Sequence, residues 1–309
     1  MTAARVSAPS KGRWRPSEQT RWAFIFLLPW IIGFIVFTAG PMIATAYLSF
    51  TNYNVIRPPT FIGLDNYEQM LTDRRIPLAL QNTAFYALFH VPGVILISLA
   101  LAMILTRVGK LAGLFRTIFY LPSVTPAVAI GTLFLLLLAG NGLVNNTLGF
   151  LGINGPQWLT DPDWVKPGIV IMSLWTLGST VVIYFAALRN VPLELYEAAK
   201  IDGANAWQAF RNITLPFISG AIFFTVIVNT IAALQIFAEV FTMFFGARSG
   251  PAQGSALFYT IYLFQKAFQD LKFGYASAMA WLLFLIILII TLIQVRLSSR
   301  FVFYAGEGR

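Results

Sequence analysis

The sequence predicts an all-α integral membrane protein with about six transmembrane helices. Composition is the first reason: 58% of the residues are apolar and only 11% are charged, against roughly 25% charged in a soluble domain. Second, the apolar residues gather in six runs, each long enough to cross about 30 Å of hydrocarbon as a helix. Third, the cations stand between those runs, where anchors belong. The 21 Lys and Arg exceed the 12 Asp and Glu, but they form no basic face interleaved with polar readers, so no nucleic-acid partner is expected. With no Cys and a single His, disulfides, thiolate chemistry and multi-His or Cys zinc sites are excluded.

Residues 1–21 are rich in Ser, Pro and basic side chains and have nothing to bury. They read as a disordered cytoplasmic tail that touches anionic lipid headgroups. The first apolar run, Trp22–Phe50, is too long for the core of a signal peptide despite the small-x-small pattern of Ala44-Thr45-Ala46, so it reads as an uncleaved anchor. An external loop over 51–81 follows. Five further spans are placed near Asn82–Thr106, Thr117–Ala139, Pro167–Leu188, Phe217–Phe241 and Tyr275–Val295, within a membrane domain over 82–296 that leaves 297–309 as a second cytoplasmic tail. With the N-terminus inside, 14 of the 21 cations fall on the inner side, among them Arg107, Lys110, Arg116, Arg189 and Arg211, which places both termini in the cytoplasm. Trp22, Trp158, Trp164 and Trp281 read as interface anchors.

The segment 189–216 is too polar to span a membrane and too regular for an irregular loop. Pro192 suits the first turn of a helix through Leu193–Ile201, and Gly203 can supply its left-handed stop. Asn205 with Gln208 three residues later is a capping box that restarts a helix, with Trp207, Phe210 and Ile213 on roughly one face until Pro216 leads into the fifth span. By spacing alone this could equally be an amphipathic hairpin on the membrane surface.

Within the spans, polar groups are costly, and each is a functional candidate. Gln235 and Glu239, four apart in the fifth span, are expected to share a helix face, with Asn229 nearer the cytosol and Phe237 between them in sequence. Amides, a carboxylate and an aromatic ring would suit a sugar. The alternatives are that Glu239 meets water at the outer interface and that Gln235 bonds a neighbouring helix. His90 precedes Pro92, which frees a backbone carbonyl, so a local hydrogen bond is its expected role. No phosphate-binding Gly-x-x-x-x-Gly-Lys-Ser/Thr loop, paired intramembrane carboxylates or His-Glu-x-x-His motif occurs. The competing classes are thus an ATPase-independent secondary transporter and a membrane enzyme, neither supported by a repeat or a catalytic constellation.

Glu197-Ala198-Ala199, Asp202-Gly203, Ile213 and Leu215-Pro216 resemble the EAA loop of ABC importer permeases. Phe61-Ile62-Gly63-Leu64-Asp65-Asn66-Tyr67, Gln81-Asn82-Thr83, Arg116 with Tyr120-Leu121-Pro122 and Pro126, Ala233-Leu234-Gln235-Ile236-Phe237 and Gly274-Tyr275-Ala276-Ser277-Ala278 resemble further motifs of the carbohydrate branch, of MalF/UgpA-like type. Ala238 departs from an acidic residue usual there, and Phe244–Pro251 only loosely resembles the usual Gly-Gly-Pro loop. The resemblance implies a type I ABC importer permease fold in a bacterial plasma membrane. It also implies that residues 189–216 form a coupling loop docked on a separate dimeric ATPase. There Glu197 would pair a cation, Ala198 and Ala199 would permit close approach, and Gly203 would hold the bend. The implied partners are a second, MalG-like permease, that ATPase and an extracytoplasmic solute-binding protein. No cofactor is expected on this chain, and ATP with Mg is expected on the ATPase. A sugar or oligosaccharide is the implied solute, with a glycerol 3-phosphate-type polyol phosphate as the alternative.

Overall fold

The computed structural model describes residues 18–245 and 254–301. Most of the basic N-terminal tail, the end of the C-terminal tail and most of Phe244–Pro251 lie outside the described residues. Helix α1 (Glu18–Leu48) meets the length and apolarity of a span, as do α3 (Arg75–Arg107) and α14 (Phe273–Phe301). The fifth span is α11 (Ser219–Leu234) followed by α12 (Ala238–Phe244). Two more spans are bent pairs. A helical stretch over Gly109–Val124, which contains α4 (Ala112–Tyr120), meets α5 (Ala127–Leu137) at 97°, and α7 (Pro162–Leu174) meets α8 (Gly178–Arg189) at 49°. The six-span expectation holds when each bent pair counts as one crossing. The third and fourth spans are not the straight helices expected, because Pro122 and Pro126 deny the first of them a continuous backbone ladder.

The expected external loop is itself structured. Strands β1 (Thr51–Asn52) and β2 (Thr60–Phe61) pair antiparallel, a small departure from an all-α chain, and α2 (Asp65–Thr72) follows. Asn66 explains the motif it belongs to: its amide donates to the Ser49 and Thr51 carbonyls at 2.8 and 2.9 Å, and the Tyr67 hydroxyl donates to Ser49 Oγ at 2.9 Å. Helix α3 starts at Arg75, seven residues before the expected Asn82. Asn82 and Thr83 therefore lie inside it, where they hold another segment. Asn82 Nδ2 donates to the Gly254 and Leu257 carbonyls at 2.8 and 3.1 Å, and Thr83 Oγ1 accepts from the Tyr259 N–H at 3.0 Å. That segment leads into α13 (Tyr259–Phe264) and a wider π-type turn over Gln265–Gln269.

Two apolar clusters form the core. The larger joins Tyr86, Ile169, Met172, Val240, Tyr259 and Met279, and the other joins Leu99, Leu105, Val181, Tyr184, Phe185 and Ile218. Helix α1 packs on α14 only through its last turns, around Met42, Thr45 and Trp281, while its main apolar stretch buries nothing within the chain and leaves its Phe, Leu and Ile side chains exposed. Trp158 corrects an expectation. It is 7% exposed and donates from Nε1 to Asn145 Oδ1 at 2.9 Å, so it is a core residue rather than an interface anchor. Trp22 and Trp164 remain exposed. Close backbone approach joins the two bent spans, since a Cβ at Gly178 would stand 2.0 Å from the Phe119 carbonyl oxygen.

One carboxylate, in the turn just before α3, ties the start of that helix to α13 and α14. Asp73 Oδ2 accepts from the Tyr262 hydroxyl at 2.5 Å and the Tyr275 hydroxyl at 2.8 Å, while Oδ1 accepts from the Arg75 N–H at 3.0 Å. Partial burial works to raise its pKa, but the Tyr262, Arg75 and Tyr275 hydrogen bonds and the Lys266 charge outweigh it and hold the carboxyl below its ordinary 3.8. A carboxyl depressed on folding stabilises the fold above its unfolded pKa and stops doing so as pH falls through the lower native value. Asp73→Asn should therefore lower the thermal-inactivation temperature of the detergent-solubilised protein at pH 7. The gap between variant and native protein should close as the pH falls below 3.8.

Candidate functional site

A cavity of about 560 Å³ lies where the fifth span breaks. Helix α11 stops at Leu234, the backbone leaves helical geometry at Gln235 (φ −113°) and Phe237 (φ −145°), and α12 resumes at Ala238. The freed Ile236 carbonyl accepts a hydrogen bond from Thr260 Oγ1, so the break is satisfied from α13. Helix α5 makes room for α12 through Gly131, where a Cβ would meet the Glu239 carbonyl oxygen at 2.8 Å.

All four residues expected on the solute path, Asn229, Gln235, Phe237 and Glu239, line this cavity. The expected reason is wrong, however. Gln235 and Glu239 do not share the face of a regular helix, and the break is what turns both toward one space. Gln235 is exposed to the cavity rather than bonded to a neighbouring helix. Glu239 is half-buried and has no ion-pair partner among the described residues, whose one salt bridge is Lys266–Asp270. Asn229 Nδ2 donates one proton to the Thr225 carbonyl at 2.8 Å, which leaves its second N–H and its Oδ1 to offer.

Sequence reasoning missed the facing wall. Tyr86, His90, Ser173, Thr176 and Ser179 complete the cavity. The signal was present: Ser173, Thr176 and Ser179 recur every third residue at the bend between α7 and α8. His90 does not bond the carbonyl freed by Pro92, as expected. Its Nδ1 lies 2.7 Å from Ser173 Oγ on α7, and its ring stacks on Tyr86 with centroids 4.9 Å apart. Ser173 Oγ donates its one proton to the Val170 carbonyl at 2.8 Å. This assigns the His90 proton to Nδ1, donating to Ser173, and leaves Nε2 as an acceptor. The cavity thus presents amides at Asn229 and Gln235, acceptors at His90 and Glu239, hydroxyls at Thr176 and Ser179, and an aromatic ring at Phe237. No Lys or Arg lines it.

The polar loop forms the second candidate. Helix α9 (Leu193–Ile201) starts one residue after Pro192, which is its N-cap rather than part of its first turn. Gly203 adopts φ +78°, as expected of a left-handed stop. The capping box is complete: Asn205 N–H donates to Gln208 Oε1 at 2.8 Å and Gln208 N–H to Asn205 Oδ1 at 2.9 Å. Helix α10 (Ala206–Ala209) runs on through a π-type turn over Phe210–Thr214 into Leu215–Phe217. The Tyr196 hydroxyl and Thr214 Oγ1, 2.8 Å apart, tie the two helices together.

Glu197, Ala198, Asp202 and Gly203 are exposed, Ala199 is half-buried, and Ile201 is 87% and Trp207 65% exposed. Phe210 and Ile213 pack against the second core cluster, and the Trp207 ring meets Phe210 with centroids 5.5 Å apart, so the expected face forms with Trp207 at its exposed edge. Leu215 and Pro216 line a separate apolar groove beside α14. The loop therefore presents an acidic and apolar outer surface while its far side is anchored to the spans.

Residues 94–303 match the family described as binding-protein-dependent transport system inner membrane component. This chain belongs to that family. Relatives cover nearly its full length. The probable ABC transporter permease protein YesP of Bacillus subtilis is 39% identical over 92% of each chain. The lactose transport system permease protein LacF of Rhizobium radiobacter is 35% identical over 93% of this chain and 94% of its own. The crystal structure of a bacterial ABC transporter that imports the acidic polysaccharide alginate contains a chain with a TM-score of 0.79 and 26% identity, covering 92% of this permease and 96% of that chain. A second structure of a bacterial alginate transporter, in complex with an alginate pentasaccharide-bound periplasmic protein, matches at a TM-score of 0.79 and 25% identity.

If the cavity is the path through the permease, Glu239→Ala should lower the initial uptake rate by about 10- to 100-fold at matched membrane abundance, the range for losing a hydrogen bond to a charged group. Phe224→Ala, on the exposed apolar surface of α11, should leave uptake unchanged.

Proposed function

We propose that this chain is one of two permease subunits of an ATP-driven importer for a sugar or oligosaccharide, and that it forms half of the translocation path. The cavity at the fifth-span break carries this reading. A solute rich in hydroxyl groups meets acceptors, hydroxyls and one aromatic ring there, the usual means of holding a sugar. Full-length likeness to a lactose permease and to a chain of an alginate transporter supports the same solute class. A polyol phosphate is the weaker reading, because no cation in the lining would meet its charge.

The loop over 189–216 faces the cytoplasm with both termini, as the distribution of Lys and Arg supports. It docks on a separate ATPase that holds ATP and Mg, and the permease performs no bond chemistry. Glu197 meets a cation of the ATPase, Ala198 and Ala199 allow close approach, and Asp202, Gly203 and the Asn205–Gln208 box fix the bend. Ile213, Leu215 and Pro216 tie the loop to the fifth span. Movement of the ATPase on binding ATP is carried as a rigid displacement through this loop to the spans. A solute-binding protein delivers the solute on the opposite side, and a second permease lines the other half of the path.

Tagged chain extracted from native membranes in mild detergent should co-purify stoichiometrically with an ATPase and a second permease. Purification without an ATPase, in a preparation that keeps other ABC complexes intact, would refute this reading in favour of an ion-coupled transporter. Within the complex, Gly203→Val should uncouple ATP hydrolysis from uptake, because a β-branched residue resists φ +78°. A Cβ there meets no atom within 4 Å, so strain rather than a clash is at issue. Gly203→Asn, which tolerates the left-handed region, should retain most uptake.

A further inference from the structure

A second cavity, of about 710 Å³, opens at the end of the molecule that carries the loop. The last turns of α3 and α8 supply Arg107 and Arg189 to its wall, α9 supplies Tyr196, and Met103, Leu188 and Leu193 give it an apolar side. No carboxylate lines it, and neither arginine has an ion-pair partner among the described residues.

A third cation, Arg116, shares an aromatic partner with Arg189 without lining the cavity. The Arg189 guanidinium lies 5.3 Å from the centre of the Phe185 ring, and the Arg116 guanidinium lies 4.7 Å from the same centre. Phe185 is 3% exposed, so the ring that organises the two cations is fixed in the core. Retention of cations on the inner side explains why arginines end these helices. It does not explain their gathering around a concave space with one apolar wall. Guanidinium groups are rigid forks that bind phosphate oxygens bidentately, and a phosphate between them would also relieve their mutual repulsion.

We propose that this cavity binds a phosphate-bearing anion through Arg107 and Arg189, and that its occupant is the headgroup of an anionic phospholipid. Free phosphate shares the chemistry of the arginines but has no use for the Met103, Leu188 and Leu193 side, which suits the glycerol and first acyl carbons of a lipid. Because α9 and α10 also line it, beside the ends of α3 and α8, an occupied cavity holds the loop against the spans. That consequence for coupling rests on the function proposed above, whereas the binding itself does not.

The complex purified from native membranes would be exchanged into mild detergent and titrated with phosphatidylglycerol or phosphatidylcholine. Retention would be read by native mass spectrometry with and without millimolar inorganic phosphate. The native chain should retain phosphatidylglycerol in preference to phosphatidylcholine. Arg107→Gln with Arg189→Gln should weaken that retention about 30-fold, on the scale of two surface cations facing an anionic lipid. Arg107→Lys with Arg189→Lys should lose less. Lys110→Gln with Arg211→Gln removes the same charge from the same end of the chain outside the cavity, and should change retention by less than about threefold.

Displacement of the lipid by inorganic phosphate would support the arginine site and make soluble phosphate its source. Equal losses in the two Gln pairs, or no preference for phosphatidylglycerol in the native chain, would overturn the proposal. Co-purification of the ATPase is scored in the same samples. Loss of lipid selectivity with the subunits intact thus counts against this site alone, and absence of the ATPase counts against the importer reading alone.

Discussion

Hydrocarbon offers a backbone N–H or C=O nothing to bond, so a chain that leaves helical geometry inside a membrane must satisfy the freed groups from within itself. That requirement organises most of this permease. The fifth span can stop at Leu234 because the Thr260 hydroxyl meets the Ile236 carbonyl. The segment that brings Thr260 there is held in turn by Asn82 and Thr83 on α3. At the C-terminal end of the first span, Asn66 reads the carbonyls of Ser49 and Thr51 in the same way. Side-chain amides and hydroxyls act here as pins between distant parts of the backbone, and they permit a cavity where a continuous helix would have presented only its side chains.

The breaks determine what the cavity can hold. In an unbroken helix Gln235 and Glu239 would stand on one stripe, one turn apart. Instead the backbone turns between them and lets Asn229, Phe237 and Glu239 enclose a volume with the α7–α8 bend opposite. Gly131 lowers α12 onto α5, and Gly178 brings the two bent spans into backbone contact. The His90–Ser173 hydrogen bond then spans the wall from α3 to α7. With Nδ1 turned to Ser173, the imidazole lines the same cavity as the Glu239 carboxylate.

Much of this was legible in the residues. Span number, the loop over 189–216, the left-handed Gly203 and the Asn205–Gln208 box all follow from rules that act over a few residues, and all recur in the structure. The four solute-path residues were also identified, but through a helical spacing that does not hold, since nothing local in Leu234–Phe237 announces that Thr260 will take over a carbonyl. The same limit explains Ser173, Thr176 and Ser179. Hydroxyls in a span routinely bond to their own helix, and only the bend at Trp175–Leu177 aims them at a shared space. Trp158 misled for the opposite reason. Its indole suits a membrane interface, but Asn145 offered it a partner inside the fold. Motifs that carried the resemblance, such as Asn66, Asn82 and Tyr275, could be recognised before they could be explained, because their partners are 15 to 202 residues away.

The two ends of the molecule solve opposite problems. At the end away from the loop, Asp73 ties the end of α2 to α13 and the start of α14 through Tyr262 and Tyr275, so the chain on that side is cross-linked by side chains. The loop has few such ties. Its helices are joined by Tyr196 and Thr214 and rest on the spans through Phe210 and Ile213, while Ile201 and Trp207 stand out from the fold. A lone permease gains nothing from exposing them, and burying apolar area of this kind contributes about 25 cal/mol per Å² only once a partner covers it. The internal stiffness of the loop, set by the capping box and the Gly203 turn, has the same implication. A segment meant only to connect two spans could be flexible. One that must transmit a displacement from a docked partner has to move as a body, and the capping box, the Gly203 turn and the Tyr196–Thr214 hydrogen bond hold the two helices of this loop together while its outer surface is left uncovered.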